Sequence, residues 1–405
     1  MIMFQPVTKS IGTTHRAKAF HVFEPPVRFS QFPSRRKVRV SRSGVLTIFV
    51  LLMLVIAIGM LVLVVNFTWL VLNNRDMQRR SDLLALVAAE ELLDEQILSD
   101  QFPSQEDDVL QAEITVHEFR LANNQVVAGA LRVKSSNVTV TAGRVEDVTH
   151  PVFVDMLPFN SLRVEIHRFA QGPNPARLLI RGFGAPEAAD VATASIAALD
   201  NRLIGFRPTT TVATPLAPLA ISEKAWFSDR PSESVDRNAN HRLELDVLLR
   251  PSAGDGTANG ALIDVDGSIP LDFSLIPQQV SNGIEPDDLG TEMLGPAIPV
   301  NPLPLPATDL SPSNTDHIVE AFNAVANSAD SRRIFAVYTG NFSDPLPIIG
   351  FVAATVLEAE NTGGLYDQIR LAVEPVFIVH FTAVTAAKNR EVPENKYIHK
   401  IRLVQ

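Results

Sequence analysis

The chain has 405 residues, of which 46% are hydrophobic and none is cysteine, and it carries a net charge of −10. The lack of cysteine excludes disulfides, thiol catalysis and thiolate metal centres together, and an exported domain without disulfides fits a bacterial envelope. The acidic balance argues against nucleic-acid binding, and the length allows about two domains with a substantial core.

Residues 1–43 are basic. Nine Lys/Arg (Lys9, Arg16, Lys18, Arg28, Arg35, Arg36, Lys37, Arg39 and Arg42) stand against Glu24, a net of +8, which leaves −18 for residues 44–405. The proline and arginine content predicts a disordered cytoplasmic tail that touches lipid. Residues 44–74 then carry no charge, and 22 of them, residues 44–65, read GVLTIFVLLMLVIAIGMLVLVV. A helix needs about 20 apolar residues to cross the hydrocarbon core of a bilayer, so residues 44–73 are predicted to span it. Basic flanks stay inside, which places the amino end in the cytoplasm and the remainder outside a bacterial inner membrane. Arg75, Arg79 and Arg80 oppose that orientation and are outnumbered. A cleaved signal peptide fits less well: the apolar run is too long, and Phe67, Trp69 and Leu70 follow it where a small-x-small site would be needed. Trp69 occupies the place of an interfacial anchor.

Residues 74–100 predict an amphipathic stalk helix. Met77, Leu83, Leu84, Leu86, Val87, Leu92, Leu93 and Ile97 make an apolar stripe, and Asp82, Glu90, Glu91, Asp94 and Glu95 take the other face. Such a helix packs on its own ectodomain, or else forms one long helix with the span and offers its stripe to partner helices. In the second case the partner-binding residues are Leu83, Leu86, Val87 and Leu93.

The rest reads as a mixed strand and helix ectodomain in two parts, so the fold class is α+β behind a single N-terminal transmembrane helix and its stalk. Residues 101–222 form the first, α+β part. Strands are predicted at 112–116, 125–133, 137–142, 162–167 and 176–182, with a proline-led helix at 186–199. Residues 223–405 form a β-rich second part with strands at 243–249, 261–265 and 269–275. A loop at 294–312 follows, held extended by Pro296, Pro299, Pro302, Pro304, Pro306 and Pro312. A helix at 316–329 precedes closing strands at 333–338, 350–358, 369–373 and 376–383. There is no internal repeat of fixed period.

Chemical signals are sparse. Asp236, Asn238 and Asn240 alternate like the opening of a calcium loop. His241 replaces the glycine such a loop needs, however, and Val247 stands where its last carboxylate belongs, so a polar turn leading into a strand is the simpler reading. The glycine-rich residues 254–260 lack the strand, helix and lysine context of a phosphate cradle. No G-x-S-x-G or H-E-x-x-H occurs. His117, His150, His167, His241, His317 and His380 are scattered singly, and the pairs Glu90-Glu91, Asp107-Asp108 and Asp287-Asp288 sit in solvated contexts. No catalytic residue and no cofactor is predicted.

The stalk carries Met77-Gln78, Asp82, Ala85-Leu86 and Ala88-Ala89 at the spacing of the pattern L-Q-x-A-A-D-A-A-A-L-A. Together with the span before it, this resembles the TadE/TadG-like proteins of Flp (tight adherence) pilus systems. Arg207-Pro208 and Pro215-Leu216-Ala217-Pro218-Leu219-Ala220-Ile221 are similar to the proline-bracketed P-L-A-I element of those proteins. Residues 243–251 and 260–265 resembles the larger TadG-like ectodomains in the same way. The sequence departs where prepilin processing would need a glutamate: Gly44 is present, but Phe49 stands five residues on, which predicts an uncleaved anchor. Asp264-Val265-Asp266-Gly267-Ser268 only grazes a D-x-S-x-S metal-adhesion motif. The resemblance implies a non-catalytic, membrane-anchored accessory protein whose partners are membrane lipid and proteins of a pilus or secretion assembly, or a second copy of itself. A free-standing surface protein that binds a glycan or peptide through residues 223–260 is the alternative, and a tethered hydrolase would need a constellation that spacing does not show.

Overall fold

In the computed structural model, the predicted span and most of the predicted stalk are one helix, α1 (Ser43–Glu90), 48 residues long. The structure describes residues 43–93, 98, 105–126, 133–146, 152–172, 174–181, 186–227, 236–238, 240, 242–249, 258–265, 274–289, 303–305, 307–308, 312–340, 346–362, 368–386, 392 and 394–404. The basic tail at 1–42 and most of the proline-rich loop lie outside them. Two units divide the chain, residues 1–58 and 59–405. In the first, the side chains from Leu46 to Ile56 are bare, among them Leu46, Ile48 and Leu51. Among the described residues, Leu46–Glu90 is the helix long and apolar enough to cross a membrane.

The second unit holds every other element. α2 (Gln105–Val126) is followed by β1 (Val138–Val145), β2 (Phe153–Val154), β3 (Ser161–Arg168), β4 (Ala176–Arg177), β5 (Ala188–Ala189) and β6 (Val191–Asp200). Then come β7 (Leu203–Phe206), β8 (Leu216–Ser222), the short α3 (Glu223–Phe227), β9 (Leu245–Leu249), β10 (Gly260–Ile263) and α4 (Ile276–Asn282). β11 (Leu303–Leu305), β12 (Ala307–Thr308), α5 (Pro312–Ala326), β13 (Arg332–Tyr338), β14 (Leu346–Asn361) and β15 (Ile369–Pro375) lead to β16 (Ile378–Val379), β17 (Ala383–Thr385) and β18 (Ile398–Val404).

Two large sheets organise most of these strands, while β4 with β5 and β7 with β17 form two-stranded ladders. The first has six, in the order β16-β18-β6-β3-β1-β2. Its inner face carries Ala142, Leu162, Val164, Ile166, Val191 and Ala197, which share a core with Met77, Leu84, Ala85, Ala88 and Ala89 of α1 and with Ala112 and Val116 of α2. The second sheet closes on itself. β14, β13, β8, β10, β9 and β15 pair in sequence and β15 pairs back to β14, so six strands form a ring. All six contribute to one buried cluster, as the inward face of a barrel does, and α4 and α5 add Ile276, Val280, Ile318 and Phe322 to it. Arg333 caps the end of α4: its guanidinium donates to the carbonyls of Val280 at 2.9 Å and Ser281 at 2.7 Å. A second cluster on the other face of β8, β10, β13 and β14 takes in Ile378 and Ile398, so the β16–β18 edge of the six-stranded sheet lies against the barrel.

Several elements differ from the sequence reading. The strand predicted at 112–116 is inside α2, which also takes the start of the one predicted at 125–133. The buried pair Ala112 and Val116 is one i, i+4 step of a helix, and Glu106, Asp107 and Asp108 favour a helix start there. The helix predicted at 186–199 is instead β6. Val191, Thr193, Ser195 and Ala197 are buried, while Ala192 and Ala194 are exposed, so tertiary pairing with β3 and β18 overrides alanine's helix preference. Within 176–182 the described strand is the two-residue β4, and within 376–383 a turn separates β16 from β17. Ser274 and Leu275 form a turn into α4 where a strand was predicted, and α5 begins earlier than predicted, at Pro312, as suits proline in a first turn. The helix of the stalk ends at Glu90.

Candidate interaction interface at the stalk helix

The inner face of α1 is polar as well as apolar, and its polar residues reach first the 177–180 segment and then the six-stranded sheet. Asn66 exchanges two hydrogen bonds with Ile180: its amide nitrogen donates to the Ile180 carbonyl at 2.9 Å, and its oxygen accepts the Ile180 N–H at 3.0 Å. Trp69 donates its indole N–H to the Arg177 carbonyl at 3.1 Å. Further along, Gln78 donates to the Ser195 hydroxyl at 2.8 Å and to the Ala194 carbonyl at 3.2 Å, and Ser195 in turn donates to Asp82. Ser81 donates to the Val164 carbonyl at 2.8 Å. Beyond these anchors, Ala85, Ala88 and Ala89 are fully buried, and their small side chains let the helix lie close to the strands.

The four residues expected to bind a partner are not together on this face. Leu83 is 50% exposed and points away from the sheet. Leu86 packs at the margin of the helix–sheet core, and Val87 and Leu93 are half-buried. α2 supplies further exposed apolar side chains that the sequence reading passed over: Leu110, Ile114 and Leu121, spaced four and seven apart, opposite its buried Ala112 and Val116.

Asp236, Asn238 and Asn240 do come together, but on protein groups. The Asp236 carboxylate and the Asn238 oxygen accept the Asn240 N–H at 3.1 and 3.2 Å. The Asn238 and Asn240 amides donate to the buried Glu374 at 2.6 and 2.9 Å, and Arg242 pairs with the same carboxylate at 3.0 Å. Arg237 bridges Glu244 at 2.6 Å and Asp246 at 2.8 Å. Burial works against the Arg237 charge, but its bonds to those two carboxylates outweigh it and raise its pKa. The turn is thus tied onto β9 and β15 by charge and amide contacts. Among the described residues, no group of three or more histidine, aspartate or glutamate side chains is placed to hold a metal.

Two clefts flank Tyr397. One, of about 230 Å³, lies between Leu203, Phe227, Phe351 and Tyr397, and the other, of about 160 Å³, between Trp226, Leu243, Glu244 and Tyr397. Trp226 and Tyr397 meet edge to face at 5.5 Å. His399, on β18 nearby, is 8% exposed and packs against Phe377, and burial lowers its pKa. Burial lowers that of His380 as well.

With this geometry in view, the comparison with protein families is specific. Residues 44–91 match the family described as "Putative Flp pilus-assembly TadE/G-like". The match agrees with the resemblance read from the sequence and stops at residue 91, short of the elements at 207–221 and 243–265. No curated protein matches the chain, and no solved structure does. The TadE/G-like match coincides with α1, and the motif residues Met77, Gln78, Asp82, Ala85, Ala88 and Ala89 are those that hold the helix to the sheet. A pilus-related role and a structural protein of that kind are supported by the match. With one apolar helix, it also fits a membrane-anchored protein that associates with pilus or secretion components.

Proposed function

We propose that the chain is a non-catalytic accessory protein of a Flp-type pilus or related envelope assembly, held in the bacterial inner membrane by α1 with its amino end in the cytoplasm. The observation that carries this reading is the division of labour along the TadE/G-like segment. Its first turns are bare and apolar, and its later turns are fixed to the six-stranded sheet by Gln78, Ser81 and Asp82. A membrane anchor in the same chain as a folded domain suits a scaffold for other components at the membrane. The surface offered to them is Leu83 on α1 with Leu110, Ile114 and Leu121 on α2; Leu86, Val87 and Leu93 lie at its edge.

Cross-linking of the full-length protein in native membranes, followed by mass spectrometry, tests this. Recovery of secretion-machine components from the wild type, and their loss with Leu83→Asp combined with Leu110→Asp, is the expected result. Unchanged association in the double variant removes this surface from the proposal, and recovery of the protein alone removes the assembly role. The clefts beside Tyr397 favour a second reading, a surface protein that binds a glycan or peptide, and that second outcome would direct attention there.

A further inference from the structure

We infer that residues 177–181, the strip bound to Asn66, form a second contact with the bilayer, with Leu179 inserted at the lipid surface and Arg177 and Arg181 at headgroup level. This rests on the reading of α1 as a membrane anchor. Leu61, Leu63, Val64 and Phe67 are 57–68% exposed on the turns around Asn66, while Asn66 itself is 7% exposed. The dense run of bare apolar side chains on α1 therefore ends close to where Asn66 takes hold of Ile180: beyond Phe67, Leu72 is the one exposed large apolar side chain before Arg75. A helix climbs about 5 Å per turn, so whatever is bonded to residue 66 lies within about two turns of the end of that apolar surface. Two polar contacts fix the strip there, Asn66 with Ile180 and Trp69 with the Arg177 carbonyl.

The strip has the chemistry of an interfacial segment. Leu178 is 7% exposed and turns into the protein, whereas Leu179 is 59% exposed and turns out. Arg177 and Arg181 are exposed on either side of it. Cationic side chains with apolar stems suit the phosphate layer, and an apolar side chain between them suits the acyl boundary just below. An isolated exposed leucine is ordinary on a soluble surface. Here its position is set by hydrogen bonds to the helix that enters the membrane, and the occupant that continues from that helix is the bilayer itself.

Because the chain contains no cysteine, Leu179→Cys creates a single labelling site. The full-length protein would be labelled with an environment-sensitive fluorophore and reconstituted into phosphatidylcholine–phosphatidylglycerol vesicles, with Leu54→Cys and Glu320→Cys as references. Quenching is read with shallow nitroxide lipids and with aqueous iodide. The expected result is a Leu179 label quenched several-fold more by shallow nitroxides than the Glu320 label, and shielded from iodide. If the Leu179 label answers to iodide as Glu320 does while the Leu54 label stays in lipid, the anchor stands and this contact is overturned. If the Leu54 label is itself open to iodide, the anchor reading fails and takes the contact with it. A Leu179 label shielded from iodide yet untouched by nitroxides means that protein covers the strip, which also overturns the proposal.

Discussion

Ser81 and Val164 meet in the interior: the serine hydroxyl of α1 donates to the strand carbonyl of β3 at 2.8 Å, and both residues are fully buried. A hydroxyl at this position does two things a larger apolar side chain could not. It lets the helix approach the strand closely, and it satisfies its own hydrogen bond without water.

The first prediction concerns that contact. Ser81→Ala is expected to lower stability by about 1 kcal/mol, the usual net value of one internal hydrogen bond. Ser81→Leu should cost more, about 2 kcal/mol or above, by overpacking the helix–sheet seam. Leu83→Ala, on the outer face of the same turn, should fall within about 0.5 kcal/mol of wild type. Chemical denaturation of the full-length protein in detergent reads all three, and equal effects for Ser81→Leu and Leu83→Ala would sink the assignment of faces.

A second prediction follows from Glu374, which is 3% exposed and takes two asparagine amides and Arg242. Glu374→Ala leaves those donors facing an empty site, at a cost of about 3 kcal/mol. Asp236→Ala, at the exposed end of the turn, should cost less than about 1 kcal/mol. The comparison of the two midpoints in urea decides whether the turn is anchored from below, at Glu374.

Glycines mark two points of close approach. At Gly260 the barrel joins β10 to β9, and an added Cβ would lie 2.4 Å from Val247 Cγ1 and 2.9 Å from Leu249 Cδ2. Gly283, which ends α4, has φ of +83° and would place a Cβ 2.3 Å from the Thr214 carbonyl oxygen. Side-chain atoms can shift and a backbone carbonyl cannot readily do so. Gly283→Ala should therefore be the more damaging substitution, by about 1 kcal/mol or more over Gly260→Ala, combining clash with left-handed strain. Thermal unfolding of the two variants side by side would reveal a reversed order.

Two histidines, the buried His399 and the half-buried His380, set a pH dependence. Burial lowers the pKa of His399 and of His380 below the ordinary 6.5, so the fold holds both neutral. Below that value the unfolded chain binds protons that the folded chain resists, so their contribution to stability is complete above about pH 6.5 and is lost as pH falls through the lowered values. The slope is at most about 1.4 kcal/mol per pH unit for each group. Melting temperatures taken from about pH 7.5 down to about pH 5 should fall, and His399→Gln should flatten the decline. An unaltered profile in that variant would show that His399 is not one of the groups responsible.

What could be read in advance followed the range of the interactions. The span, the onset of the stalk and strands such as β1, β3 and β13 are written in local composition and alternation. The helical nature of 105–126 was hidden because Ala112 and Val116 read equally as one side of a short strand. The strand β6 was hidden because its alternation runs through alanine, serine and threonine, small residues whose role appears only against α1. Asn66 and Ile180 are 114 positions apart, so no spacing rule links them. The resemblance pointed to Gln78 and Asp82 without saying what they touch, which is Ser195 on β6. Asp236, Asn238 and Asn240 suggested a loop with oxygen ligands, and the residue that gathers the two asparagine amides is Glu374 on a distant strand.

β18 lies between β6 and β16 in the sheet that holds α1, with Ile401 opposite Leu199, and Ile398 reaches the barrel's outer core. α1 is made early, and the last strand of the sheet it docks on is made late. Until residues 398–404 have been synthesised, β6 has an open edge and the inner face of α1 meets an incomplete sheet. A chain stopped short of them would keep the partners of Asn66, Gln78 and Ser81, which are Ile180, Ser195 and Val164, yet would leave a row of unpaired backbone groups along β6, open to pairing with another chain.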